Sequence, residues 1–478
     1  MRRSHFLLYL PWVLSALSCV FISCQAIQDG AQERERASKP NILIILADDL
    51  GYADCGFTGS MDIRTPNLDL LAGGSMVFTD AHVSASVCAP SRAGLLTGQY
   101  QQEFGFECNL GAGSGLLPNQ RTIATGLTEG GYSTLALGKW HLGGAPELHP
   151  MQQGFEHFTG LIGGSRSYFP ILDKKPTKAQ RIERDGTVLP ESSFAYFTDF
   201  LTSEAVAKIG AQEQGEPFFM YLAYTAPHSP NHARPDLFES YAHIEHKGRR
   251  KYASMVTAMD EGVGRVVDAL RARGELENTL IVFLSDNGGA TTNHSDNGPW
   301  RGMKGSKWEG GHRVPFFIHW PASVAPGTYA GLTSSLDILP TVWSAAGVAL
   351  GEQATTLDGV DLLPTMQGTR EEPPHERLFW RRAVAAAVRD GDWKTIRIQN
   401  KDGSYQDPIL VNLADDPSEL ENHAKADPTR TQSMLRQLTE WERSIVEPRW
   451  LTAEIWRDYQ RAKHQPAVLT RKQERSLP

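Results

Sequence analysis

The chain reads as an α/β protein: one large mixed, mainly parallel β-sheet between helix layers, then a smaller C-terminal unit of antiparallel sheet and helix. Three observations predict this. Continuous apolar runs without alternation suit strands buried on both faces, as in a sheet covered by helices. Helical patterns lie between those runs. Past Glu371-Glu372-Pro373-Pro374, shorter strand signals separated by Asp-Gly turns take over.

Residues 1–24 carry the features of an export signal: Arg2 and Arg3, an apolar stretch from Phe6 to Ile22, then small and polar residues. Pro11 and the short apolar length argue against a permanent membrane span. Phe21-Ile22-Ser23-Cys24 loosely matches a bacterial lipoprotein cleavage site, whereas Ser4-His5 after Arg2-Arg3 fits a twin-arginine signal poorly. The expected destination is periplasmic, secreted or cell-surface, with a lipid anchor left open. A polar linker over 25–39 precedes a catalytic domain expected at 40–372 and a C-terminal α+β unit with its tail at 373–478.

The first strand is expected in Pro40 to Ala47, and it ends in Asp48-Asp49. In open α/β sheets, ligands collect outside the carboxyl ends of strands, so both carboxylates are placed for chemistry. Thr65 is the expected N-cap of a short helix with Pro66 at its first position, and Gly73-Gly74 closes it. Residues 132–137 predict a second strand, running into Gly138-Lys139-Trp140-His141. A third, Phe218 to Tyr224, runs into Ala226-Pro227-His228. An amphipathic helix is expected from about Tyr252 to Arg273, with Gly274 as terminator. A fourth strand, Leu280 to Leu284, runs into Ser285-Asp286-Asn287. Four apolar runs thus end in residues able to bind metal, move protons or hold anions, which argues for one site along one sheet edge.

In the C-terminal unit, Leu378 to Ala387, Trp393 to Ile398 and Ile409 to Leu413 are expected strands of an antiparallel meander. Asp427-Pro428 opens a helix carrying Met434, Leu435, Leu438 and Trp441, and the polar tail beyond Arg449 is expected to be loose.

The 478 residues are 40% hydrophobic and 21% charged, an ordinary globular composition with ample chain for a large core. A formal charge of -8 argues against nucleic acid as the main partner and leaves an anionic substrate to be attracted locally. Of the five cysteines, Cys19 and Cys24 fall in the signal, so Cys55, Cys88 and Cys108 remain, too few for a disulfide scaffold. Pairing of Cys55 with Cys108 stays open, and Cys88 is the odd one out.

Cys88 opens Cys88-Ala89-Pro90-Ser91-Arg92, followed by Leu95-Leu96-Thr97-Gly98, a loop turning into a helix with Cys88 at its N-terminus. This segment resembles the signature of the formylglycine-dependent sulfatases. The resemblance runs from about Pro40 to Pro364 and weakly through Val411 to Pro417. It implies an alkaline-phosphatase-like fold and a sulfuric ester hydrolase in which a maturation enzyme converts Cys88 to an aldehyde, whose hydrate is the nucleophile.

Asp48, Asp49, Asp286 and Asn287 offer hard oxygen ligands, suited to Ca²⁺ or Mg²⁺, and three grouped carboxylates need a cation between them; the resemblance puts Ca²⁺ ahead of Mg²⁺. The family's calcium site matches these four, with residue 88 as a further ligand. Arg92, Lys139 and Lys304 are candidate cations, Lys304 lying in the Gly-rich Arg301-Gly302-Met303-Lys304-Gly305 with Lys307 as a decoy. His141 and His228 are acid/base candidates because they follow strand ends. The resemblance assigns Lys139, Lys304 and His228 to substrate, His228 with Lys304 to protonation of the leaving alcohol, His141 to deprotonation of the remaining hydroxyl, and Arg92 to holding residue 88. Arg166, in the variable segment His149 to Tyr168, is a further expected substrate contact.

Export and abundant Trp and Tyr favour a saccharide sulfate. Two rivals stand beside this reading. One is a phosphate or phosphonate monoester hydrolase on the same scaffold, of which a two-zinc phosphatase would be expected to offer additional His and Asp ligands and a Ser or Thr nucleophile. A non-catalytic surface glycan-binding protein would be expected to have lost part of the constellation, which here is complete.

Overall fold

A computed structural model of the chain describes residues 39–109 and 114–464. The expected export signal and nearly all of the expected linker therefore lie outside the described residues.

Strand β1 (Asn41–Ala47) is buried at every position. Its side chains divide by parity: Ile42, Ile44 and Leu46 enter one hydrophobic core, Leu43, Ile45 and Ala47 the other. Successive residues of a strand point to opposite faces, so a strand without polar positions needs an apolar layer on each side. The strands that follow are β2 (Met76–Phe78), β3 (Ala81–His82), β4 (Ser133–Lys139), β5 (His157–Leu161), β6 (Ile182–Arg184), β7 (Thr187–Val188), β8 (Phe218–Ala223), β9 (Thr279–Ser285), β10 (Phe316–His319) and β11 (Gly327–Tyr329). All but β3 join one sheet in the order β11-β2-β10-β9-β1-β8-β4-β5-β6-β7; β3 pairs with β12 (Thr333–Ser334).

From β9 through β1, β8 and β4 to β5 the strands run parallel, while β10 and β6 flank them antiparallel. The four strands expected from the apolar runs are the four adjacent places β9-β1-β8-β4, so their carboxyl ends share one edge. The helices Cys88–Thr97, Ile123–Glu129 and Ile338–Ala345 cover one face of the sheet. Phe197–Ala211 and Lys247–Ala272 cover the other.

Two helix starts differ from the local reading. The long helix begins at Lys247 rather than Tyr252, because the His246 ring accepts a hydrogen bond from the Arg249 amide and caps an extra turn. Thr65 precedes Pro66–Gly73 as expected, but its hydroxyl donates to Asp69 instead of capping. The cap is remote: Asp260, on the long helix, accepts from the amides of Asn67 (3.2 Å) and Leu68 (2.7 Å).

The C-terminal sheet is an antiparallel meander of β13 (Arg377–Arg382), β14 (Ala385–Asp390), β15 (Trp393–Ile398) and β16 (Ile409–Asn412). The single strand expected over Leu378 to Ala387 is two, turning at Ala383, which adopts φ 47° without the Gly that usually marks such a turn. Helix Pro428–Ser444 packs Met434 and Leu438 on one side of this sheet; on the other, Trp308 of the larger unit packs with Leu378, Trp380 and Ile396.

Over the described residues up to His464, the chain beyond Arg449 is held down rather than loose; residues 465–478 lie outside the described residues. Arg449 donates its amide to Gly105, Trp450 stacks edge-on against Phe106, and helix Glu454–Ala462 ends beside buried His464, whose ring accepts from the Lys307 amide. Apolar contacts remote in sequence hold down a segment whose own composition is polar. Cys55, Cys88 and Cys108 are all buried and unpaired.

Candidate active site

The carboxyl edge of β9-β1-β8-β4 gathers the expected groups. Asp48 and Asp49 follow β1, Lys139 ends β4, His228 lies just past β8, and Asp286 and Asn287 follow β9. Gly138 permits this packing: a Cβ there would lie 1.9 Å from the carbonyl oxygen of Ala223 on β8. Asp49 and His141 adopt left-handed backbone conformations, φ 62° and 60°. Such geometry costs a non-glycine residue about 1 kcal/mol or more and persists where surrounding structure enforces it, commonly at reacting centres.

Three carboxylates face three cations. Lys139 Nζ donates to Asp48 Oδ2 at 2.6 Å, and Lys304 Nζ to Asp49 Oδ1 at 2.6 Å. Arg92, fully buried, donates from Nε to Asp286 Oδ2 at 2.9 Å and from a terminal nitrogen to the Lys139 carbonyl. Burial tends to raise the Asp49 pKa, but Lys304, His228 and Lys139 hold it well below the usual carboxylate range. Asp286 is pushed up to about 6 by burial and by the Asp48 charge. Asn287 Nδ2 donates to Asp49 Oδ1 at 2.7 Å.

Cys88 lies at the first turn of helix Cys88–Thr97, preceded by extended Val87, and its sulfur is 3.0 Å from Lys304 Nζ. Burial pushes the thiol up to about 11 although Lys139 and Lys304 pull it down. His228 Nδ1 is directed at the Ser229 carbonyl and Nε2 at Asp49 Oδ2, 3.5 Å away. Its pKa falls to about 4 through burial, with Lys304 and Lys139 adding to the shift against Asp49. His141 Nδ1 is buried without a hydrogen-bond partner, and burial with Lys139 and Arg92 holds its pKa well below the ordinary imidazole value.

The donor set fits a divalent cation. Oxygen, sulfur and nitrogen atoms of Asp48, Asp49, Cys88 and His228 lie within 4.8 Å of one another. Asp48 Oδ1 and Asn287 Oδ1 are buried with no hydrogen-bond partner among the described residues. Unsatisfied acceptors in a dry site are costly unless a cation takes their lone pairs. The three side-chain cations offset the three carboxylates, so a dication would leave the hollow at about +2 for a monoanionic ester.

Arg166 is the expected site residue that the structure does not bring to this hollow. Its guanidinium donates to Glu191 Oε2 at 2.6 Å and to the Ser167 and Gln180 carbonyls, and stacks on Phe194. A cation fully paired in this way is unavailable to substrate; it fixes the loop. The same segment still touches the site, since Tyr168 donates its hydroxyl to the His228 carbonyl at 2.9 Å and Gly164 lies against the His141 ring. Lys307 donates to Ser86, and Asp54 accepts from Arg249, Tyr252 and the Asp296 amide, so both are structural. A second gathering, His82, Glu309 and His312, is already neutralised: Lys394 Nζ lies 2.9 Å from both Glu309 and Glu419.

Residues absent from the sequence reading complete the cavity of about 850 Å³ that opens on Asp49, His228 and Lys304. They are Arg382 from β13 and, from the C-terminal segment, Trp450, Trp456, Tyr459 and Lys463. Three aromatic residues within an otherwise polar tail were the available signal; nothing local located them.

Comparison with known proteins agrees with this geometry. The family model described as Sulfatase matches residues 40–348. Arylsulfatase A of Bos taurus is 35% identical over 438 residues, covering 81% of this chain and 83% of that protein. The crystal structure of Ps i-CgsB in complex with k-i-k-neocarrahexaose superposes with a TM-score of 0.81 at 36% identity, covering 90% of this chain and 98% of the other. The fold alone recurs in the phosphonate monoester hydrolase of Agrobacterium radiobacter, with a TM-score of 0.61 at 22% identity, 85% of this chain and 95% of that one.

Proposed function

The chain belongs to the sulfatase family, and from that premise we propose that it releases sulfate from a sulfated saccharide, using a nucleophile made from Cys88 and a calcium ion held by Asp48, Asp49, Asp286 and Asn287. The observation that carries this reading is the convergence of Cys88, Lys304 and Asp49, with Lys304 Nζ 3.0 Å from the thiol and 2.6 Å from the carboxylate. A thiol held near 11 is protonated at neutral pH and has no second hydroxyl, so the chemistry fits an oxidised residue 88 better than the free cysteine. Hydrated formylglycine at this position supplies the attacking hydroxyl. Calcium, when bound, supplies Lewis-acid polarisation of the sulfate oxygens, and hard oxygen ligands favour it.

The chain's own groups do the rest. Lys139 and Lys304 are positioned to offset negative charge on the sulfate oxygens, where each contact in a partly dry site is worth about a few kcal/mol. His228 Nε2 faces the hollow while Nδ1 is engaged by the Ser229 carbonyl, so Nε2 is the atom that delivers a proton to the leaving alcohol. A pKa near 4 leaves the unliganded ring neutral with its proton on Nδ1, so Nε2 gains the proton it delivers only when a bound anionic sulfate raises the His228 pKa. His141, with an unpartnered Nδ1, is the base for the remaining hydroxyl of residue 88. Arg92 fixes Asp286 and the Lys139 backbone rather than substrate.

A formylglycine-generating enzyme is the required maturation partner, and the leader in residues 1–24 supports export. No described helix is long and apolar enough to cross a membrane.

The test is mass spectrometry of the peptide containing residue 88 together with assays on 4-nitrophenyl sulfate and 4-nitrophenyl phosphate. An aldehyde in place of the thiol, faster sulfate turnover, and loss of turnover by at least about 10³-fold in folded Cys88→Ala protein are expected. Fully active protein carrying only Cys88, or faster phosphate turnover, would overturn the reading.

A further inference from the structure

The cavity holds two cations that the proposed reaction does not use. Arg382 ends β13 and is 9% exposed; Lys463 follows helix Glu454–Ala462. A Cβ on Gly305 would lie 2.9 Å from a terminal nitrogen of Arg382 and 3.0 Å from Lys463 Nζ, so the two like charges are neighbours across that glycine. Most other buried cations here have carboxylate partners: Arg92 with Asp286, Arg166 with Glu191, Arg249 with Asp54, Lys394 with Glu309.

Arg382 and Lys463 form no such pair among the described residues. Lys463 Nζ donates to the Lys304 carbonyl and sits over the Tyr459 ring, 4.7 Å from its centroid. Arg382 meets only the Gln460 amide and the Cys108 thiol. Glu107, the nearby carboxylate, is taken by Arg381. A half-buried Lys463 beside the buried Arg382, with no counter-charge among the described residues, is costly to keep charged and its pKa falls to about 7; an anion entering the cavity would offset that cost. Trp456 and Tyr459, 58% and 45% exposed, stand on the same wall with their rings edge to face, 6.2 Å apart. Exposed aromatic faces beside charge suit the apolar faces of sugar rings.

We propose that Arg382 and Lys463 form a second anion subsite, which takes another sulfate ester of the same saccharide whose scissile sulfate lies at residue 88, with Trp456 and Tyr459 stacking on its sugar. This rests on the sulfated-saccharide reading and narrows it to saccharides carrying at least two sulfates. The distance between the two groups on the substrate is set by the path along the cavity from Lys304 to Arg382.

The probes are a neocarrabiose bearing one sulfate ester and the same disaccharide bearing two. Binding is measured calorimetrically on Cys88→Ser protein, and sulfate release on the mature enzyme, with Arg382→Gln and Lys463→Gln introduced in each. The parent is expected to favour the disulfate about tenfold or more in Kd and in kcat/KM. Each Gln variant is expected to erase most of that preference, and Lys463→Arg to restore it. Equal losses on both probes would mean the two cations only shape the Lys304 loop, and an undiminished preference would mean they touch no substrate; either overturns the subsite. Intact binding preference with no hydrolysis of either probe by the mature wild type would instead refute the hydrolase reading and leave the subsite standing. Hydrolysis without any preference in the parent refutes the subsite alone.

Discussion

Burial holds the Cys88 thiol up near 11, protonated at neutral pH, which suits the proposal that residue 88 acts in a modified form rather than as a free thiolate. The carboxylates around it show a complementary imbalance. Asp49 is held ionised by its cations while burial and Asp48 push Asp286 up to about 6, and the buried acceptors Asp48 Oδ1 and Asn287 Oδ1 have no donor among the described residues. A divalent cation relieves that imbalance, which gives a prediction at this scale. Exhaustive chelation should abolish 4-nitrophenyl sulfate turnover and lower the melting temperature by several degrees, and calcium should restore both better than magnesium. Scanning calorimetry and a titration of the stripped protein check it; an unchanged melting temperature and rate would dismiss the metal. These residues were legible in the sequence because each follows an apolar run. Arg166 was not, since its pairing with Glu191 depends on a loop whose path no local pattern encodes.

The element that most constrains its surroundings is the long helix Lys247–Ala272. Its apolar stripe, including Met255, Val256, Met259, Val263 and Val266, fills one core, and its buried Asp260 serves as the N-terminal cap of Pro66–Gly73. The local Thr65-Pro66 signal correctly marks a helix start but names the wrong cap. Removing the remote one by Asp260→Ala should cost about 2 kcal/mol, since it orphans the amides of Asn67 and Leu68 together with the Asn67 side chain. Urea denaturation reads this directly. Thr65→Ala should cost less, because its hydroxyl serves Asp69; the reverse ranking would refute the assignment. The β13–β14 turn teaches the same lesson: Ala383 accepts a left-handed conformation because six register pairs hold the hairpin on either side, not because the residue favours it.

Across the whole molecule, the two units meet through chemistry as well as packing. Lys394 of β15 lies between Glu309, which opens the short helix Glu309–His312, and Glu419 of the C-terminal unit; Arg389 reaches Asp80 and approaches Glu309. Burial pushes Glu419 up to about 7 even with Lys394 beside it. Lys394→Met should therefore strand two buried carboxylates and cost about 3–5 kcal/mol. Because the helix that Glu309 opens follows the Lys304 loop directly, sulfate turnover should fall as well. A denaturation midpoint within about 1 kcal/mol of the parent would show that the network does not join the units.

What the sequence determined alone is the central sheet and its reacting edge. Buried parallel strands must be continuously apolar, and the residues that end them must face one side, so Asp48, Asp49, Lys139, His228, Asp286 and Asn287 can be placed together from local pattern. Only the tertiary structure decided which of the remaining cations reach the cavity. It pairs Arg166 away, and it brings Arg382, Trp456, Tyr459 and Lys463 in from a unit and a tail far along the chain. Charge partners and cavity walls are set by contacts between segments, and a contact between distant segments leaves no periodicity in either one.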